Sequence, residues 1–198
     1  MEALAAIQRL VDMAPDMRRR LIKIIVGYFF LNPVEVTSCP FLDGKDCLIY
    51  QDRFFGCRAY GLWSPGYYEK LAARSRQAKA RFQKQWENLG VSLPQTVIDF
   101  QVPYCLCVET DGHAVTDETL LYALDTIETL SRDFSQWHHS FSQRYFSDLS
   151  FLLGSLVFGF TGAVQMKFAT VRDILTTGNR ARVNRIVGEL PDLCAELT

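Results

Sequence analysis

Apolar positions recur at helical spacing through most of the chain. Leu4, Ile7 and Val11 lie three and four residues apart, so residues 2–13 are expected to form an amphipathic helix that Pro15 ends. Asp16 can cap a second helix over residues 16–30, with Arg18, Arg19, Arg20 and Lys23 facing water and Asn32-Pro33 as its stop. The next clear helix opens at Ser64-Pro65. Serine accepts a hydrogen bond from the first turn, and proline at the first helical position gives up a donor that has no partner there anyway. This helix is expected to reach Leu89 and stop at Gly90, with Leu71, Ser75, Ala78, Phe82 and Trp86 along one seam. Its other faces carry Arg74, Arg76, Lys79, Arg81 and Lys84, which read as a solvated basic face rather than a docking surface.

Thr116 followed by Asp117 and Glu118 is the capping pattern of a helix that continues to about Arg132. Further helices are expected over residues 135–146, 147–175 with breaks, and 180–197, the last preceded by the turn Thr177-Gly178-Asn179. In the most apolar stretch, residues 151–169, Gln165 and Lys167 leave about 14 clean apolar residues where roughly 20 are needed to cross a bilayer. It reads as a buried core helix, and no membrane span is expected.

Two stretches lack any helical period. Residues 34–62 carry Gly44, Gly56 and Gly61 and three cysteines, and read as loop. Residues 91–110 look extended or irregular, with Pro94 and Pro103 excluding a regular helix, and they contain Cys105 and Cys107. The expected fold class is therefore mainly α. A single helical domain covers residues 1–198, with an irregular cysteine-rich metal-binding loop region at about 34–62 that is completed by about 102–113.

Composition narrows the function classes. A chain of 198 residues with 48% hydrophobic content buries one sizeable core, and charged residues, 22% of the chain, leave a net charge of −1. No bulk field then argues for a nucleic-acid partner. Met1-Glu2-Ala3-Leu4 lacks the positive start and apolar run of a secretory signal, so a cytoplasmic location with reduced thiols is expected. No Gly-x-Gly-x-x-Gly, P-loop or Gly-x-Ser-x-Gly pattern occurs, and no small-molecule substrate is indicated.

The chemistry is concentrated in cysteine. Cys39, Cys47 and Cys57 fall within nineteen residues on a segment with little apolar pattern, and Cys105 and Cys107 return where regular structure stops again. Thiolates bind soft or borderline metals, and a centre that ties loop ends together contributes folding free energy. Three local thiols need a fourth partner, for which Cys105 and Cys107 are both candidates. Cys194, on an apolar helix face, reads instead as a small hydrophobe. His138-His139 are adjacent and point apart on a helix, and His113 reads as a turn residue with an alternate ligand role.

Beyond spacing, Cys39-Pro40-Phe41-Leu42, Cys47-Leu48-Ile49-Tyr50-Gln51-Asp52-Arg53 and Cys57-Arg58-Ala59-Tyr60 resemble the C-P-F-L, C-x-I-Y-x-x-R-P and C-R-x-Y/F segments of the YkgJ-type cysteine-cluster family of zinc- or iron-chelating proteins. The resemblance covers about residues 37–61. Phe54 stands where the family has proline, and the tight cysteine group that precedes C-P-F-L in the family has no counterpart before Cys39, so the downstream pair stands in for it. The resemblance implies a metal-binding protein. Paired Cys-x(2–4)-Cys knuckles of structural zinc are absent, whereas clusters accept scattered thiolates, so a 4Fe-4S cluster is favoured with zinc as the alternative. Arg53 and Arg58 can offset the charge of such a centre and donate hydrogen bonds to sulfur, while Tyr50, Phe54, Phe55 and Tyr60 exclude water. Equally, both arginines can pair with Asp43, Asp46 or Asp52 on the same loop. The expected function is electron transfer or maturation of a partner enzyme, which implies a protein partner. The alternative is a zinc-stabilised interaction module without catalysis, and a cluster acting as a Lewis acid leaves the question of catalysis open.

Overall fold

A computed structural model of the chain describes residues 2–108, 115–132 and 149–190. The first two helices are α1, Glu2–Asp12, and α2, Pro15–Leu31. Pro15 therefore starts a helix. Ala14 before it is extended (φ −53°, ψ 139°), as residues preceding proline are, and proline takes the first helical position where its missing N–H costs nothing. Asp16 does not cap α2, and no other side chain does; its carboxylate lies in the first turn, where the helix dipole favours a negative charge.

Five residues of α2, Leu21, Ile25, Val26, Phe29 and Phe30, are wholly buried, and they face two ways. Val26, Phe29 and Phe30 join a core completed by Phe151, Ala163, Ile174 and Val183. Leu21 and Ile25 join a second core with Leu10, Phe41, Ile49 and Leu153. The covering residues come from α1, from the cysteine-bearing segment, and from α7 (Leu149–Phe158), α8 (Phe160–Thr177) and α9 (Ala181–Gly188).

The apolar stretch expected as a core helix is two helices. α7 and α8 meet at an angle of 111° across Gly159, whose φ of 70° is a conformation that side chains disfavour. The bend lets both arms lie on α2, and α8 returns a buried Lys167 whose ammonium donates to Asn32 Oδ1 at 3.2 Å. Among the described residues, no single helix is long and apolar enough to cross a membrane. Gly178, left-handed as the expected turn requires, closes α8, and Arg180 then pairs with Glu35 beyond the end of α2.

α4 spans Pro65–Asn88 and starts as its sequence dictates, with Ser64 Oγ accepting from the Tyr67 N–H at 3.2 Å. Ser64 also donates its own N–H (2.8 Å) and hydroxyl (2.6 Å) to the carboxylate of Asp117, at the start of α6 (Asp117–Arg132). Two helix starts are thereby locked together, and these hydrogen bonds hold the Asp117 carboxyl below its ordinary range. Thr116 Oγ1 caps α6 through the Thr119 N–H.

The expected seam of α4 is buried at Trp86 but exposed at Ser75 and Ala78, and its basic face is only partly solvated. Arg76 reaches Glu69 and Gln101, and Lys79 donates to the carbonyls of Val97 and Phe100. These bonds pin a short helix, α5 (Gln95–Asp99), that lies where irregular chain is expected, with Pro94 at its N-cap rather than excluding it. The helix expected over residues 180–197 ends at Gly188, with Glu189 as its C-cap; the helix expected over residues 135–146 lies outside the described residues, as do residues 191–198, His113, His138, His139 and Cys194.

Removing the Phe29 ring, which meets Phe30 at 4.9 Å and Phe151 at 5.6 Å between ring centres, should cost about 3–5 kcal/mol in urea unfolding of Phe29→Ala. The Ser64–Asp117 lock has a definite pH signature. Because the folded pKa of Asp117 is lowered, its stabilisation is complete above the ordinary carboxylate value and is lost as pH falls through the folded one. The stability gap between wild type and Asp117→Asn should therefore shrink on acidification.

Candidate functional site

The cysteine-bearing segment is short of regular structure but not of anchors. Phe41 and Ile49 are buried in the second core beneath α1 and α2, with Cys47, Leu48 and Phe54 packed against it. Between those anchors lies a two-stranded hairpin, β1 (Leu42–Asp43) with β2 (Asp46–Cys47), in which Leu42 faces Cys47 and Asp43 faces Asp46. A 3-10 turn at Tyr50–Asp52 and a one-turn helix, α3 (Phe55–Arg58), complete it. The expectation of plain loop is thus corrected. The two-residue turn Gly44-Lys45 is a hairpin signal, but strands of two residues show no alternation by which to recognise them.

Charged groups fix the segment to the first two helices. Asp52 pairs with Arg9 of α1 at 3.5 Å, and Asp43 accepts from both terminal nitrogens of Arg20 of α2, at 3.1 and 3.3 Å. The carboxylate of Glu2 accepts the Phe55 N–H, at the open start of α3. The local arginines take other work. Arg53 donates to the Tyr50 carbonyl (3.2 Å) and lies 3.9 Å above the Tyr50 ring, while Arg58 donates to the carbonyls of Arg53 (2.8 Å) and Gln51. Neither pairs with Asp43, Asp46 or Asp52. The reading in which they do is overturned, because α1 and α2 supply the partners of Asp43 and Asp52.

The thiols occupy three successive features: Cys39 precedes the hairpin, Cys47 ends it, and Cys57 lies in α3. Cys39 and Cys57 are exposed and Cys47 is half-buried. Enough protein surrounds the Cys57 sulfur to push its pKa up, and negative charge on Cys39 and then on Cys47 pushes it further; Arg53 opposes them and Glu2 adds to them. The three sulfurs therefore share one electrostatic neighbourhood, with Arg53 inside it. Tyr50, at 57% exposed, is stacked under that arginine instead of closing the thiols off from water.

Cys105 and Cys107 lie on an extended strip docked one turn further along. Tyr60 donates to the Pro103 carbonyl at 2.9 Å, Tyr68 donates to the Val102 carbonyl, and Tyr104 donates to the Trp63 carbonyl at 2.9 Å. The strip passes so close to Gly61 (φ 80°) that a Cβ there would lie 3.1 Å from Cys105 Cβ and 2.4 Å from Val108 Cγ2. Cys105 is half-buried and Cys107 exposed, and neither contributes to the field at Cys57. The fold thus places three cysteines within electrostatic reach of one another and seats the other two beside Gly61, beyond the end of α3. Among the described residues, no three His, Cys, Asp or Glu side chains are arranged to hold a single metal ion. What the segment offers is thiol chemistry beside a cation, with two of the three thiols exposed and Arg53 close enough to act on Cys57.

Comparison with protein-family models, with curated proteins and with solved structures gives no match.

In metal-free protein Cys57 should react with iodoacetamide more slowly near neutral pH than free cysteine does, because less of it is thiolate. Arg53→Gln should slow that alkylation further, and Cys39→Ser should speed it at a pH above the ordinary thiol value, where Cys39 is itself charged, read by mass spectrometry of the modified peptide. Equal rates in all three proteins would separate Cys57 from its neighbours.

Proposed function

We propose that Cys39, Cys47 and Cys57 form the thiolate face of a metal centre, that the centre is a 4Fe-4S cluster with Cys105 or Cys107 as the fourth ligand, and that the protein transfers electrons or matures a partner enzyme. The observation that carries this reading is that, after burial, charge on Cys39 and on Cys47 disfavours charge on Cys57, with Arg53 opposing them. Like charges oppose one another, and a cationic core would relieve that repulsion further.

Each residue has a definite task in this scheme. Cys39, Cys47 and Cys57 supply sulfur, and the strip held by Tyr60, Tyr68 and Tyr104 supplies the remaining thiol. Arg53 offsets negative charge, and the Tyr50 ring and carbonyl keep it in place. Arg58 braces the backbone on either side of Arg53 through Gln51 and Arg53 carbonyls, a positioning task. A bound cluster would supply one-electron exchange, and the exposure of Cys39 and Cys57 supports exchange with a protein partner at this face. The resemblance of residues 37–61 to YkgJ-type cysteine-cluster proteins supports a metal centre as well. Zinc in the same thiols, in an interaction module, is the second reading, favoured by the hairpin and α3 that frame them.

Anaerobic purification followed by absorption spectroscopy and by iron, sulfide and zinc analysis tests the proposal. Broad visible absorption with iron and acid-labile sulfide is expected. A colourless protein with one equivalent of zinc would replace the cluster by the second reading, and a metal-free protein after reconstitution would end both. Cys57→Ser should lose most of the bound iron yet keep its helical circular dichroism, because Phe41 and Ile49 anchor the segment independently of the thiols.

A further inference from the structure

A cleft of about 680 Å³ opens between α4 and the layer formed by α2, α7 and α8. None of the five described cysteines lines it, so it is separate from the proposed metal centre. Its volume falls in the range that holds small organic ligands. The α4 wall presents the half-exposed seam of that helix, with Phe82 and Trp86 edge to face at 6.0 Å between ring centres. Opposite them α8 presents Phe168, stacked on Trp86, together with Phe160 and Val164, which are 41% and 43% exposed. Apolar side chains of this size left open in a concave wall favour a hydrocarbon occupant, at about 25 cal/mol for each Å² removed from water.

Lys79, Arg81 and Lys167 all face the cleft, and among the described residues that line it there is no aspartate or glutamate. The three cations stand in different settings. Lys79 is committed to the carbonyls of Val97 and Phe100, and its partial burial lowers its pKa. Lys167 is at the floor, held by Asn32 and 4.3 Å from the centre of the Phe29 ring. Arg81 is exposed at the rim and makes no hydrogen bond or ion pair to a described residue. A guanidinium offers paired donors that match a carboxylate in plane.

We propose that this cleft binds an amphipathic carboxylate, its hydrocarbon part between the Phe82–Trp86 and Phe160–Phe168 walls and its carboxylate on Arg81. The proposal stands or falls independently of the cysteines.

Isothermal titration calorimetry of the full chain with dodecanoate, kept below its micellar concentration, and with dodecyltrimethylammonium as the opposite-charge probe, is the test. Saturable binding of dodecanoate near one equivalent is expected, with the cationic probe at least about tenfold weaker. Arg81→Gln should weaken dodecanoate about tenfold. Val164→Glu, which places an acid in the wall at an exposed position, should weaken it more. Both sites are exposed, so both variants keep the fold, checked by circular dichroism. Absence of saturable dodecanoate binding, equal binding of the two probes, or wild-type affinity in both variants would overturn the proposal.

Discussion

The two-sided burial of α2 is the constraint on which the rest of the molecule depends. A helix with Leu21 and Ile25 facing one core and Val26, Phe29 and Phe30 facing another has no stable form until both cores are built. The first needs the α7–α8 elbow and α9; the second needs α1 and the cysteine-bearing segment. Gly159 matters for the same reason, since a straight helix would lay only one arm on α2. The fold is a mainly α domain because one strongly apolar helix must be covered by elements from both ends of the chain.

The second core also explains how an irregular segment keeps a defined shape. Phe41 and Ile49 are inserted like two pegs under α1 and α2, and the Arg9–Asp52 and Arg20–Asp43 pairs set the segment's orientation at the surface. Exposed pairs of this kind contribute little stability, so the apolar pegs carry most of the hold. What they hold is a fixed spacing of three thiols.

Legibility in the sequence followed the range of the interactions. Ser64-Pro65, Thr116-Asp117 and Gly178 specify helix ends through bonds to residues a few positions away, and each end lies where its residues indicate. The hairpin at Leu42–Cys47 was hidden because its strands are too short to show alternation, and Phe41 and Ile49 because isolated apolar residues in a loop resemble accidental ones. The tasks of Arg9, Arg20, Arg76 and Lys79 were invisible for another reason: apart from Glu69, seven residues before Arg76, their partners lie 18 to 43 residues away, beyond any local pattern. That Cys39, Cys47 and Cys57 share one anchored segment could be read from their density, whereas the docking of the Cys105–Cys107 strip could not. It depends on three tyrosine hydroxyls and on the one residue without a Cβ, Gly61, at the point of closest approach.

The bond between Lys167 and Asn32 joins residues 135 positions apart, and α2 meets α7 and α8 across a similar span. During synthesis the end of α2 at Asn32 leaves the ribosome 135 residues before Lys167 of its cover. Through that interval the face of α2 that carries Val26, Phe29 and Phe30 has no cover, and a newly made chain carries that surface bare until the elbow arrives. Such long closures slow folding and invite association between chains, so the order of assembly itself becomes a hazard that the cell must manage.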